Sequence, residues 1–334
     1  MIGIARLAAA GLMAIMAMGT ARAEDALKAK VGVLRLSSSA PVFIAQDKGY
    51  FRDAGLEVEL KFFDAAQPIA VATTSGDVDF GVTAFTAGLY NLAGKGVLKV
   101  IGGMSREKPG YPLIGYFASN NAYASGLKTP KDLAGKRVAM TQVGSSFHYS
   151  LGLLADKYGF KLADVKIVPL QSLSNAAAAL KGETVDAALL PISTARKLMD
   201  EGGAKFLGWV GDETPWQLGA VFASPKMLTN KALVTKFLGV LAKADREYHD
   251  TILAAMKDGT APINEQTKPL LEIIAKYTNL PVEQVVGNCA YIDPDGKLDV
   301  KNVDNQIKWL QEQGFADKGF DANAIIAKDY VKAD

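Results

Sequence analysis

Four turns rich in small hydroxyl residues carry the chemistry that this sequence could perform. They are Ser37-Ser38-Ser39-Ala40-Pro41, Thr83-Ala84-Phe85-Thr86, Gly144-Ser145-Ser146 and Pro191-Ile192-Ser193-Thr194. Each follows a strand-like apolar run and opens a helix-like one. The first turn of a helix has N–H groups without intrahelical partners, so a glycine or serine there leaves donors for an outside acceptor. One such turn is ordinary helix capping. Four at equivalent places point to a shared site for a carboxylate, sulfonate or phosphate held by neutral donors. Phe43, Phe85, Phe147 and Trp216 lie beside these turns, with His148 adjacent, and would add flat walls. Phe43 shares an apolar stripe with Ile44 and also reads as core. Trp216 follows Pro215 and can either line a cleft or wedge a crossing segment.

Catalytic readings find little support. His148 would serve Ser145 or Ser146 as a base only with a third, orienting group, and none is evident. The second histidine, His249, falls in a surface-helix pattern. One cysteine, Cys289, and two scattered histidines offer no metal-ligand spacing. IDPDGKLDV (292–300) resembles part of a calcium loop but lacks its terminal Glu and reads as a turn. A nucleotide loop of the G-x-x-x-x-G-K-[ST] type is missing. No cofactor is expected.

The elements that must position the four turns alternate between strand and helix. Strands are expected at 30–36, 57–63, 79–83 and 97–104, then at 113–119, 137–141, 165–170 and 186–191, with an apolar run at 217–224. Amphipathic or apolar helical runs separate them, and the remainder is mostly helical at 231–257, 266–277, 281–287 and 301–313. Repeated βαβ implies a parallel sheet covered on both faces. The block after residue 120 looks like a second copy of the first. Residues 24–117 with 218–334 are therefore expected to form one lobe and 118–217 the other, with crossings near 117–120 and 213–218. In open α/β sheets ligands bind beyond the carboxyl ends of strands, so all four turns would open into one interlobe cleft.

The N-terminus sets the compartment. Arg6, the apolar run 7–19 and Ala21-Arg22-Ala23 have the pattern of a secretory signal peptide at residues 1–23. Without those residues, Lys+Arg falls from 37 to 35 and equals the 35 Asp+Glu, a formal charge of zero. Nucleic acid is an unsuitable partner for such a chain. An exported chain with a single cysteine fits a bacterial periplasm.

The segments PVFIAQDKGYFRDAGLEVEL (41–60), TTSGDVDFGV (73–82), KTPKDLAGKRVAM (128–140), GSS (144–146) and LKGETVDAALLP (180–191) stand in the order of a known pattern. Through them the chain resembles the periplasmic substrate-binding proteins of ABC importers, in the nitrate/sulfonate/taurine and thiamine-pyrimidine-precursor group. The resemblance implies an α/β, type II periplasmic binding fold, with two Rossmann-like lobes closing on one small molecule. It implies a monomer that hands its ligand to an ABC permease driven by its ATPase. By position it implies ligand contacts from Ser38, Ser39, Ala84, Phe85, Gly144, Ser145, Ser146 and Pro191. Phe147, His148 and Trp216 join them from the residue reading alone. The related pyrimidine-synthesising enzyme has a Cys-rich loop, which this chain lacks. Arg35 is the only arginine beside a candidate turn, so the expected ligand is a sulfonate or an aromatic or heteroaromatic carboxylate held by neutral donors. Two alternatives remain open: an exported serine/histidine hydrolase, and a binding protein that signals to a membrane receptor.

Overall fold

The structure, a computed structural model, describes residues 26–334; the expected signal peptide lies outside the described residues. The chain begins with β1 (Leu27–Leu34), β2 (Leu56–Phe63), β3 (Phe80–Ala84), β4 (Lys99–Gly103) and the short β5 (Ser105–Glu107). Its middle supplies β6 (Ile114–Ala118), β7 (Arg137–Met140), β8 (Lys166–Pro169), β9 (Ala187–Pro191) and β10 (Lys205–Trp209). β11 (Trp216–Gln217), β12 (Gly219–Ala223) and β13 (Tyr291–Ile292) follow. Helices of eight or more residues are α1 (Ala40–Asp47), α2 (Ala66–Ser75), α3 (Ala87–Gly94), α4 (Ser146–Tyr158), α5 (Leu173–Lys181) and α6 (Ile192–Asp200). After β12 come α7 (Lys231–Thr251), α8 (Lys268–Thr278) and α9 (Val300–Glu312).

Two five-stranded sheets share one topology. The first runs β2-β1-β3-β12-β4, and the second, read from its other edge, β8-β7-β9-β6-β10. The second block is thus an architectural copy of the first, strand for strand. The wholly parallel sheets expected from repeated βαβ are not what forms. β12 pairs antiparallel with β3 and β4, and β6 pairs antiparallel with β9 and β10. The reason is the path of the chain. β6 and β12 are the first strands after each crossing, so they start at the cleft and run outward, whereas their neighbours run toward it.

The crossings are tied by a small third sheet, β11-β5-β13. Trp216 pairs with Glu107, and Gln217 with Arg106, in an antiparallel ladder. The Gln217 side-chain amide donates to the Gly219 carbonyl at 2.8 Å, and Gln306 of α9 donates to the Gln217 carbonyl at 2.8 Å. The first crossing lies at residues 105–113, upstream of the expected 117–120, because Ile114–Ala118 pairs within the second sheet. A boundary at 117/118 would cut that strand.

Local sequence explains how the helices start and stop. Ser145, Thr86 and Ser172 cap α4, α3 and α5 through their side-chain oxygens. Gly76 and Gly159 end α2 and α4 in the left-handed region, at φ +87° and +72°. In the first lobe the face of β1 and β3 carrying Val31, Val33, Phe80 and Val82 is buried against α1 and α7. Phe80 stacks on Phe237 at 4.0 Å, an arrangement worth about 0.5–1.5 kcal/mol beyond the area it buries. Among the described residues no helix is long and apolar enough to cross a membrane.

Candidate functional site

The N-termini of α1 to α6 all reach one cavity between the two sheets. Ser38 and Ser39 precede α1; Ala65, Ala66 and Gln67 start α2; Thr86 caps α3. From the other lobe come Ser145, Ser146 and Phe147 of α4, Leu173 of α5 and Pro191 of α6. The remaining wall is Leu34, Leu36, Thr83, Ala84, Met104, Leu113, Ile114, Thr141, Gln142 and Leu218. The atom-free space is ≈ 640 Å³, its open mouth included. None of the lining side chains is ionisable.

Donors nevertheless converge there. Each helix N-terminus carries the equivalent of roughly half a positive charge together with unpaired N–H groups. α2 and α6 begin without a side-chain cap, at Ala65 and Pro191. The buried hydroxyls of Ser39 and Thr83 have no hydrogen-bond partner. The Thr86 hydroxyl donates to Gln67 Oε1 at 2.5 Å and accepts from the Leu89 N–H at 3.0 Å. That bond commits the carbonyl end of the Gln67 amide and leaves its NH₂ end as a donor. The cavity is therefore uncharged in its side chains, apolar over much of its wall, and rich in donors at its floor. Such a site can hold an oxyanion and has nothing with which to pair a cation.

Seven residues expected from the sequence meet in this cavity: Ser38, Ser39, Ala84, Ser145, Ser146, Phe147 and Pro191. Four do not line it. Phe85 is buried and stacks on Tyr90 at 4.9 Å; as the residue after β3 its side chain turns to the opposite face from Ala84. Trp216 belongs to the crossing ladder and packs edge-on against Tyr149 at 5.0 Å. The Gly144 carbonyl accepts a 2.8 Å hydrogen bond from the Ala87 N–H, which joins the α4 turn of one lobe to the start of α3 in the other.

His148 is the fourth. Its Nδ1 accepts from the Gly144 N–H at 3.1 Å, and its ring packs against Trp309 and Phe315 behind the turn. Burial lowers its pKa from 6.5 to about 4, so the ring is neutral at pH 7. The Ser145 hydroxyl accepts from the His148 backbone N–H at 3.4 Å, and no hydrogen bond joins the imidazole to Ser145 or Ser146. The serine–histidine pair that a hydrolase would need is therefore absent from this arrangement.

Sequence reasoning missed a second group of wall residues. Met104, Leu113, Ile114 and Leu218 come from the crossings, which carry no local motif. Gln67 and Gln142 supply amides from turns without a Gly/Ser signature; for Gln67, its place one residue inside a strand-to-helix junction was an available signal. Helix α9 also packs across the lobes, with Trp309 against His148 and Tyr149 of α4. A Cβ on Gly152 would overlap the Trp309 indole, so the bare glycine surface of α4 lets Trp309 seat against the second lobe. The loop after β13 is an Asx turn, with the Asp295 N–H donating to Asp293 Oδ1 at 2.9 Å. Among the described residues no group of three or more His, Cys, Asp or Glu could hold a metal ion.

Comparison with known proteins follows the same lines. The family profile described as "NMT1/THI5 like" matches residues 37–250. The taurine-binding periplasmic protein of Escherichia coli (strain K12) is 30% identical over 164 residues, 48% of this chain and 48% of that protein; the match spans about half the length of each. The alkanesulfonate-binding protein SsuA from Xanthomonas axonopodis pv. citri, solved bound to MOPS, superposes with a TM-score of 0.70 at 20% identity, covering 93% of this chain and 100% of that one. The periplasmic nitrate-binding protein NrtA from Synechocystis PCC 6803 gives 0.68 at 15% identity, over 91% and 86%. At such identities the two structures establish a shared periplasmic-binding-protein fold.

Proposed function

Because the chain belongs to the NMT1/THI5-like family, we propose that it is the solute-binding component of an ABC importer, capturing a small organic anion between its lobes. A sulfonate is the foremost candidate, and an aromatic or heteroaromatic carboxylate suits the same donors. The observation that carries this reading is the convergence of six helix N-termini on a cavity without one ionisable side chain. Neutral donors hold an anion at lower desolvation cost than a buried Arg–carboxylate pair. Capture is thereby tight and still reversible when the lobes are pulled apart. The relatives named above for taurine, alkanesulfonate and nitrate binding share a compact oxyanion, the group this floor suits.

In this reading the ligand docks on one lobe and the other rotates over it about the β5–β11 ladder. The Ala87–Gly144 hydrogen bond and the Trp309–Gly152 contact then form across the closed cleft. The protein works in the periplasm as a monomer, after loss of residues 1–23, and delivers its ligand to a permease driven by an ATPase. No chemistry is performed on the ligand.

Calorimetry on the mature chain tests this with methanesulfonate, taurine, benzenesulfonate, benzoate and nitrate, and with alkylammonium ions as the opposite charge. Anion binding is expected, with a matching rise in melting temperature by mass action. Binding of the ammonium ions and of no oxyanion would refute the reading.

A further inference from the structure

A second depression adjoins the cavity at the outer edge of the cleft. Arg35, Phe62, Phe63 and Asp64 wall it from the first lobe, Ser174 and Thr194 from the second. It shares Leu34, Leu36 and Leu173 with the inner cavity, so three leucines form the wall common to the two spaces. The inner end offers donors for an oxyanion. That shared wall offers only apolar contact. The outer end offers a cation, Arg35, and half-exposed aromatic surface.

Arg35 is held in place. Its guanidinium lies 3.6 Å from the centre of the Phe62 ring, and its Nη1 donates to the Tyr277 carbonyl at 3.2 Å. It takes part in none of the ion pairs formed among the described residues. A guanidinium stacked on a ring keeps its remaining N–H edge free and loses little freedom on binding an anion. Asp64 is exposed and, among the described residues, forms no ion pair or side-chain hydrogen bond, so it is the competing charge at the same mouth.

We propose that this vestibule is a second subsite which takes the distal end of an elongated ligand and, through Arg35, prefers a distal anion. The class of ligand is then a molecule with an oxyanion at each end of an alkyl or aromatic spacer. This rests on the functional reading above, and adds to it that the far end of the ligand is recognised.

The test is calorimetry with alkane-α,ω-disulfonates and the n-alkanesulfonates of matching length, from two to eight carbons, together with methanesulfonate and 6-aminohexanesulfonate. Affinity should rise with chain length by up to about fourfold for each methylene lodged against the shared leucines. At the best length the disulfonate should exceed its monosulfonate by about fivefold, the scale of a partly exposed ion pair. In Arg35→Gln that preference should vanish while the dependence on chain length persists. If disulfonate and monosulfonate bind alike at every length, or 6-aminohexanesulfonate binds tighter than the disulfonate, the Arg35 subsite is wrong and the inner site stands. If no sulfonate binds, methanesulfonate included, the functional reading falls and the subsite with it.

Discussion

His148 gives a pH dependence of stability whose sign and size follow from its surroundings. Its folded pKa is depressed by burial from 6.5 to about 4. The unfolded chain therefore binds a proton in that window and the folded chain does not, so stability is complete above about pH 6.5 and is lost as pH falls toward 4. Each pKa unit corresponds to about 1.4 kcal/mol, and between pH 7 and pH 5 the loss comes to about 2 kcal/mol. Two buried carboxyls act in the opposite sense. Burial raises Glu107 and Asp245 well above the usual carboxylate range, so each contributes stability that is present in acid and lost as pH rises through its folded value. The raw profile mixes these slopes, and the difference between wild type and His148→Asn isolates one of them. Asparagine can keep an acceptor near the Gly144 N–H, and the packing lost against Trp309 and Phe315 costs the same at every pH. Urea denaturation at half-unit steps from pH 7 to 5 should show wild type losing about 2 kcal/mol more than the variant over that range. Equal slopes would show that the folded chain protonates His148 readily, and the burial argument would fail.

Thr83→Val replaces a partnerless buried hydroxyl with a methyl of the same shape. The free protein should melt at an equal or higher temperature, by up to about 1 kcal/mol of stability, while sulfonate affinity falls about tenfold; a loss of both together would place the hydroxyl in a structural role. Gly152→Ala drives a methyl into Trp309, an overpacking cost of about 1–3 kcal/mol that falls on the closed form. Ligand affinity should drop, and small-angle scattering should show a larger radius for the ligand-saturated variant than for wild type. An unchanged radius and affinity would remove Trp309 from closure. Cys289 is fully buried and its thiol is pushed up to about 12 by that burial. A thiol reagent at pH 8 should label it only at the rate of global unfolding, and fast labelling of the native protein would contradict its burial.

Much of the site was legible because strand-to-helix turns have a local signature. A serine or threonine that caps a helix stands directly before an apolar run, so Thr86 and Ser145 can be found by inspection, and Ser39 and Ser146 stand at the same kind of junction. The turn at Gly144 is also marked in the sequence, since its φ of +74° favours glycine. What inspection cannot supply is the direction of a neighbouring side chain. Phe85 and Ala84 are adjacent, yet only Ala84 faces the cavity, and His148 lies one residue beyond Phe147 but turns behind the helix. On a strand or a helix a single-residue step swings the side chain to another face. Which face meets the ligand depends on packing: from Tyr90 in the next helix for Phe85, and from Trp309 and Phe315, far away in the chain, for His148.

Sequence by itself determined the alternation of elements, the duplication of the lobes, the capped turns and a near balance of charge, 37 Lys+Arg against 35 Asp+Glu. All of these are local or compositional properties, written in spacing and residue type. Tertiary structure decided the reversal of β6 and β12, the place of the crossings and the contribution of Leu113, Ile114 and Leu218 to the wall. It also sent Trp216 to the crossing ladder and His148 to the core. Those outcomes depend on where the chain re-enters each sheet and on contacts between residues far apart in sequence, and no short window of sequence records either.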